Sequence, residues 1–203
     1  MAVQAFPMGL PATITQLLAE LEREQEERRR RLEAGQSVQP LLCLNREAAL
    51  LMHILLKASG ARRVLEIGTS AGYSGLWILS ALPADGQLVT IEREPEKIAL
   101  ASRTFSRAGF AERVQIIRGE ALAVLPRLTG PFDAAFLDAA KGEYIAYFEA
   151  AARLLRPGGL VIADNLTSHR AELEPFIQHV HNRPDFLSVT VPIGNGLEVS
   201  LKR

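Results

Sequence analysis

Cysteine is almost absent from this chain, and that absence narrows its class. A single Cys43 excludes an internal disulfide framework and fits a reducing compartment. Set in the apolar stretch Leu41, Leu42, Cys43, Leu44, it reads as a buried structural thiol rather than a nucleophile. No run of about 18 uninterrupted apolar residues occurs, so no membrane span is expected. The N-terminus lacks the basic-then-apolar order of a secretory signal. Neither sign of charge dominates: Lys+Arg and Asp+Glu both number 23, so no global field draws nucleic acid or an anionic membrane. No internal repeat or low-complexity segment is present. What remains is a soluble, cytoplasmic chain expected to form one domain over residues 1–203, large enough to bury a full core.

What is there is regular. Ile14, Leu17, Leu18 and Leu21 have helical spacing after Pro11. The run Glu22 to Arg31 follows, with Glu24–Arg28, Glu26–Arg30 and Glu27–Arg31 spaced i,i+4 in the favourable order, as on a solvated helix ending near Gly35. Residues 1–40 are thus expected to form an N-terminal helical extension, ahead of a core over residues 41–203. A second helix runs from an Asn45 cap to about Ser59, stopped by Gly60. Strands at 63–67, 87–91, 114–117, 132–137 and 160–163 then alternate with helices at 73–82, 95–108, 121–128, 142–155 and 172–181. Two last strands, 186–191 and 197–201, are joined by Pro192-Ile-Gly-Asn-Gly196, a turn suited to an antiparallel hairpin. The fold class is α/β: a doubly wound, mostly parallel seven-stranded sheet, Rossmann-like, with helices on both faces and an antiparallel C-terminal hairpin.

Two of the strands end in hard oxygen ligands. Phe132–Leu137 leads into Asp138-Ala-Ala-Lys141, and Leu160–Ala163 leads into Asp164-Asn165. In open α/β sheets ligands bind beyond the carboxyl ends of the strands. Carboxylates and an amide, without Cys or His, suit Mg²⁺, with Ca²⁺ or Mn²⁺ as alternatives. On the residues alone, Asp138 and Asp164-Asn165 fit helix caps or turns as well. Nearer the N-terminus, Val64-Leu-Glu66-Ile-Gly68-Thr-Ser-Ala-Gly72-Tyr-Ser74 is a strand, a glycine turn and a helix start. Ser70 stands where a dinucleotide fingerprint needs its second glycine, which counts against a nicotinamide dehydrogenase. Glu92 closes the next strand, where an acid can accept from both ribose hydroxyls; its alternative is a solvated acid. Glu66, an acid inside an apolar strand, requires a cationic partner or several N–H donors. It suits a cofactor with an ammonium group and no phosphate, conditions that S-adenosylmethionine meets.

Taken together with Gly119-Glu120-Ala121 and Ile193-Gly-Asn-Gly196, these motifs make the chain, from about Leu42 onward, resemble class I S-adenosylmethionine-dependent O-methyltransferases of the catechol and caffeoyl-CoA type. The resemblance implies that Glu66, Gly68, Ser74 and the backbone near Leu44 hold the methionine part, and that Glu92 holds the ribose. It sets Gly119, Glu120, Ala121 and Ala139, next to Asp138, against the adenine. It makes Asp138, Asp164 and Asn165 the metal ligands and Lys141 the general base, with a nearby dication and partial burial favouring the neutral amine. Tyr144 reads as packing with a polar contact. Glu198 resembles the acid that orients a second substrate hydroxyl, and fits a solvent-facing strand position equally. His169, His179 and His181 have no catalytic role in this reading. Ala139 and Ala140 replace bulkier residues, and the only Trp is Trp77, so the pocket is roomier or differently lidded. The expected reaction is methyl transfer to a catechol-like or vicinal-diol small aromatic. Methylation of a hydroxylated uridine in transfer RNA is the alternative, weakened by the neutral charge and mixed-sign first helix. A non-catalytic S-adenosylmethionine-binding module is the alternative of another class, against which the metal set and Lys141 argue. The resemblance also implies a homodimer, for which the apolar stripe of the first helix offers a contact.

Overall fold

The computed structural model describes residues 9–203. The first eight residues of the extension, and with them the expectation about a secretory signal, lie outside the described residues. In chain order the elements are α1 (Ala12–Glu33), α2 (Arg46–Ala58), β1 (Arg63–Ile67), α3 (Tyr73–Ala81), β2 (Gln87–Glu92), α4 (Pro95–Arg107), β3 (Val114–Arg118), α5 (Ala121–Val124), β4 (Phe132–Leu137), α6 (Tyr144–Leu154), β5 (Leu155–Ala163), α7 (Arg170–His181), β6 (Phe186–Val191) and β7 (Leu197–Lys202).

The seven strands form one sheet in the order β3-β2-β1-β4-β5-β7-β6. The first five are parallel, and β7 is antiparallel to both of its neighbours. The expected hairpin is therefore present, with its second strand inserted against β5 and its first at the sheet edge. Strand succession runs outward from β1 to β3 and then resumes on the other side at β4. The crevice beyond β1 and β4 is thus the switch point where such sheets take ligands.

Period-two alternation along the strands sorts the core into two layers. Val64, Leu88, Phe136 and Ile162 face α1 to α4, while Leu65, Val89, Ala135 and Val161 face α5 to α7. Helix α3 is buried nearly all round because α1 and α2 cover its outer side. Asn45 caps α2 as its residue type predicts, accepting from the N–H groups of Glu47 and Ala48.

Several element boundaries differ from the sequence expectation, and three of the differences have a local cause or form of note. Pro126 has no N–H for an i→i−4 bond, and the expected 121–128 helix passes from α5 into a 3₁₀ turn at Leu125–Arg127. A second 3₁₀ turn, Lys141–Glu143, precedes α6. Strand β5 begins at Leu155, and Pro157-Gly158-Gly159 is absorbed as a register shift against β4 rather than as a turn.

Helix α1 corrects one expectation. Its stripe Ile14, Leu17, Leu18 and Leu21 is buried, none more than 5% exposed, within this chain's own core. It is already covered and does not provide the dimer contact anticipated for it. No helix of the described residues is long and apolar enough to cross a membrane.

Candidate active site

A cleft of ≈420 Å³ opens at the switch point. Its floor is the turn after β1. Gly68 has φ +105°, and a Cβ there would lie 2.2 Å from the backbone oxygen of Asp138. Any side chain would force the β1 and β4 ends apart. Gly72 is likewise packed, against the Phe105 ring. Both glycines serve approach within the protein first, and exposure of the turn to a ligand follows from it. Ser70, which takes the place of a second glycine, adopts φ 47° and donates its N–H to Glu92 Oε2 at 2.9 Å.

Glu66 points to the α3 side of the sheet and is fully buried. Its partners are hydroxyls rather than the cation or N–H groups expected: Ser74 Oγ donates to Oε1 at 2.5 Å and Thr90 Oγ1 donates to Oε2 at 2.6 Å. No Lys, Arg or His bonds to it among the described residues. Burial pushes its carboxyl up to about 7; the Ser74 and Thr90 hydroxyls oppose this, and the charges of Asp138 and Glu92 add to it. Ser74 lines the cleft, whereas Glu66 stands one hydroxyl behind it.

Glu92 closes β2 on the same face and lines the cleft. Its Oε1 accepts the N–H groups of Arg93 at 2.9 Å and Glu94 at 3.1 Å, so the acid is braced within its own turn. Gly119, Glu120, Ala121 and Ala139 form the facing wall, and an Arg93–Glu120 ion pair at 3.4 Å crosses the mouth.

Beyond the ends of β4 and β5 the hard-oxygen residues converge. Lys141 Nζ donates to Asp138 Oδ1 at 2.9 Å, and Asn165 Nδ2 donates to the same oxygen at 2.8 Å. Asn165 is held at φ 73°, in the left-handed region. Asp164 is 2% exposed, and its Oδ1 is buried without a hydrogen-bond partner. Burial pushes the Asp164 carboxyl up to about 7, and the Asp138 charge adds to this. Tyr144 lies beneath, fully buried, donating to the carbonyls of Leu137 at 3.2 Å and Asp164 at 3.3 Å, the packing role with a polar contact anticipated for it. Among the described residues no three His, Cys, Asp or Glu side chains cluster as a metal site. The set at hand is two carboxylates and an amide.

A family model described as O-methyltransferase matches residues 16–184. The chain belongs to the O-methyltransferase family. It is 41% identical over 131 residues to a catechol O-methyltransferase of Niastella koreensis, a match covering 63% of this chain and 59% of that protein. A catechol O-methyltransferase of Mycobacterium tuberculosis is 39% identical over 128 residues, covering 63% and 58%. The chain thus matches less than two thirds of the length of these curated relatives. In structure it resembles the O-methyltransferase TomG from Streptomyces achromogenes, solved in complex with S-adenosylmethionine, at 30% identity and TM-score 0.80 over 96% of this chain and 92% of that one.

Within this O-methyltransferase chain the segment from Gln36 to Asn45 forms the remaining wall. Leu44 itself is buried in the core, and its neighbours Leu42 and Cys43 line the cleft. Cys43 is half-buried, and burial pushes its thiol up to about 12, with Glu22 and Glu24 adding, which leaves it inert as a nucleophile. The wall is fastened to α1: Gln25 Oε1 accepts the Cys43 N–H, and Arg28 donates to the Gln39 carbonyl at 3.1 Å. Glu22 accepts from Arg46 and from the hydroxyl of the cleft residue Tyr73 at 2.7 Å. The charged run is therefore only partly a solvated face.

Glu198 is not among the residues lining the cleft. Strand parity turns it toward α7, where Oε1 pairs with His181 Nε2 at 2.9 Å and Oε2 accepts from Thr190 at 2.5 Å. It is 1% exposed, contrary to a solvent-facing strand position. Burial raises its carboxyl above the usual range, and Thr190 and His181 oppose this. Sequence reasoning also missed Thr69, Thr90 and the α1 latch. The hydroxyls beside Glu66 carried a signal, since Thr90 is its register partner on β2.

Proposed function

We propose that this chain transfers a methyl group from S-adenosylmethionine to a hydroxyl of a catechol-like or vicinal-diol small aromatic, with a divalent cation held by Asp138, Asp164 and Asn165. The observation that carries the reading is the buried Asp164 Oδ1, which has no partner among the described residues. A buried carboxylate left this way is costly, and a cation is the ligand that repays it. Asp138 Oδ1 already gathers a lysine and an amide donor, as befits a point where positive charge collects. A non-catalytic cofactor-binding module would have no use for this arrangement. The names of the two catechol O-methyltransferase relatives support the substrate class.

When bound, Mg²⁺ (or Ca²⁺ or Mn²⁺) supplies Lewis-acid chemistry that orients two neighbouring oxygens and eases loss of a proton. Every other task falls to the protein. Lys141 Nζ is placed to take the substrate hydroxyl proton, and S-adenosylmethionine, when bound, would supply the methyl group to that oxygen. Gly68, Ser74 and the backbone beside Leu44 seat the methionine part, with the Glu66 charge one hydroxyl behind Ser74. Glu92 takes the ribose, and Gly119, Glu120, Ala121 and Ala139 take the adenine.

The deciding experiment offers labelled S-adenosylmethionine with catechols, flavonoids and bulk transfer RNA, with Mg²⁺ and with a chelator. Transfer to the small aromatics, lost on chelation, is expected. Chelator-resistant transfer removes the cation from the reading, and transfer to RNA alone removes the small-molecule substrate.

Glu66 gives a pH signature. Its folded carboxyl sits up at about 7, above the usual carboxylate range, so its contribution to stability is present at low pH and is lost as pH rises through about 7. A cationic ligand prefers the ionised form, so cofactor affinity moves the other way and strengthens as pH rises through about 7. Melting of the ligand-free protein and calorimetric titration with cofactor across this range should show the two opposed trends. Glu66→Gln should flatten both, and unchanged trends in that variant would assign them to another group.

A further inference from the structure

From the cleft-lining residue Thr69 a short chain of buried hydroxyls runs back into the sheet, and the proposed reaction leaves it unused. Thr90 is the Cα register partner of Glu66 on the neighbouring strand, on the same face of the sheet. Thr69, Thr90 and Glu66 are each 0% exposed. Thr69 Oγ1 and Thr90 Oγ1 are 2.6 Å apart, and Thr90 Oγ1 is 2.6 Å from Glu66 Oε2. A hydroxyl has one proton to give. With Glu66 ionised, Thr90 gives its proton to the carboxylate and accepts from Thr69, so the chain runs from Thr69 to Thr90 to Glu66. Ser74 holds the other oxygen from the cleft side. A β-branched threonine has few χ1 choices within a strand, so the Thr90 donor stays aimed at its acceptor.

We infer that Thr90, backed by Thr69, is a positioning residue that favours the anionic form of Glu66 and orients it toward Ser74, and thereby sets the affinity of the cleft for the cationic end of S-adenosylmethionine. The inference rests on the cofactor reading given above. The physical case is one of compensation. A fully buried carboxylate without a cation of its own loses its charge unless donors hold it, and hydrogen bonds to a charged group are the strong ones. With valine at position 90 the volume stays and the donor goes. Glu66 Oε2 and Thr69 Oγ1 then lose a shared partner, and the neutral carboxylic acid becomes the favoured form.

The test is calorimetric binding of S-adenosylmethionine and S-adenosylhomocysteine to the full chain and to Thr90→Val, Thr90→Ser and Glu66→Gln, with steady-state kinetics at saturating cofactor. Thr90→Val should weaken both ligands about tenfold or more and raise the cofactor KM, with kcat within about twofold because the reacting atoms are untouched. Thr90→Ser restores the donor and should bind as the parent does. Adding Thr90→Val to Glu66→Gln should cost nothing further, since the two act as one unit. Parent-like binding by Thr90→Val, with Glu66→Gln impaired, overturns the role of Thr90 and leaves the cofactor seat standing. Parent-like binding by Glu66→Gln overturns the seat itself. Failure of serine to rescue assigns Thr90 to packing and also overturns the inference. If Thr90→Val does not fold, Thr69→Val removes the first donor instead: weakened binding supports the chain, and unchanged binding overturns it.

Discussion

Lys141→Ala is expected to lower methyl-transfer turnover by about 10²–10⁴-fold, the range for loss of a positioned general base, while S-adenosylhomocysteine binding shifts by less than about twofold. The lysine side chain is only 16% exposed, its Nζ lies 2.9 Å from Asp138 Oδ1, and it stands 5.2 Å from the centre of the Tyr144 ring. Removing it takes away the proposed proton acceptor and leaves Asn165 as the remaining donor to that oxygen. Lys141→Arg separates two explanations. Guanidinium keeps the charge beside Asp138 but cannot be deprotonated in a protein, so it cannot take the substrate's proton. Arginine should therefore be as inactive as alanine. Turnover restored by arginine would assign the lysine to charge balance, and a large loss of S-adenosylhomocysteine binding in either variant would assign it to the cofactor.

Asp164→Asn should separate stability from function. The replacement keeps shape while removing a buried charge whose Oδ1 has no hydrogen-bond partner and which faces a second carboxylate. The cation-free protein should become more stable by about 1–3 kcal/mol, because a neutral amide escapes the desolvation of a buried charge and its repulsion with Asp138. Methyl transfer should fall by about 10²-fold or more, since a carboxylate ligand supports the Lewis-acid contribution. Denaturant melts of chelator-treated protein and a Mn²⁺ titration followed by electron paramagnetic resonance check both halves. A variant that is less stable and still binds Mn²⁺ as the parent does would refute the assignment of Asp164. The expected gain also explains why an acid that weakens the fold is worth keeping only if something binds there.

Much of this was legible in the residues. The βα alternation could be read because each strand is an apolar run bounded by turn residues. The α1 stripe could be read because Ile14, Leu17, Leu18 and Leu21 share one helical face. Asp138, Asp164, Glu66 and Glu92 drew attention as acids at or within buried strands, where an acid needs a reason. What escaped was what these acids touch. Local spacing found the Glu24–Arg28 and Glu26–Arg30 pairs. The partners that anchor α1 (Gln39, Cys43, Arg46 and Tyr73) come together only once the helix is docked. The placement of Glu198 is half legible: with Leu197 facing the α1 side, period-two alternation sends Glu198 to the opposite face. That His181 waits there depends on β7 slipping between β5 and β6, which no local pattern announces.

The fastening of the Gln36–Asn45 wall to α1 divides labour within the molecule. Strand ends, whose positions are dictated by the sheet, carry the acids and the lysine. A loop belted to an outer helix carries the fit. Substitutions in α1 or its loop are therefore expected to reshape what the cleft admits while the sheet holds the strand-end acids in place.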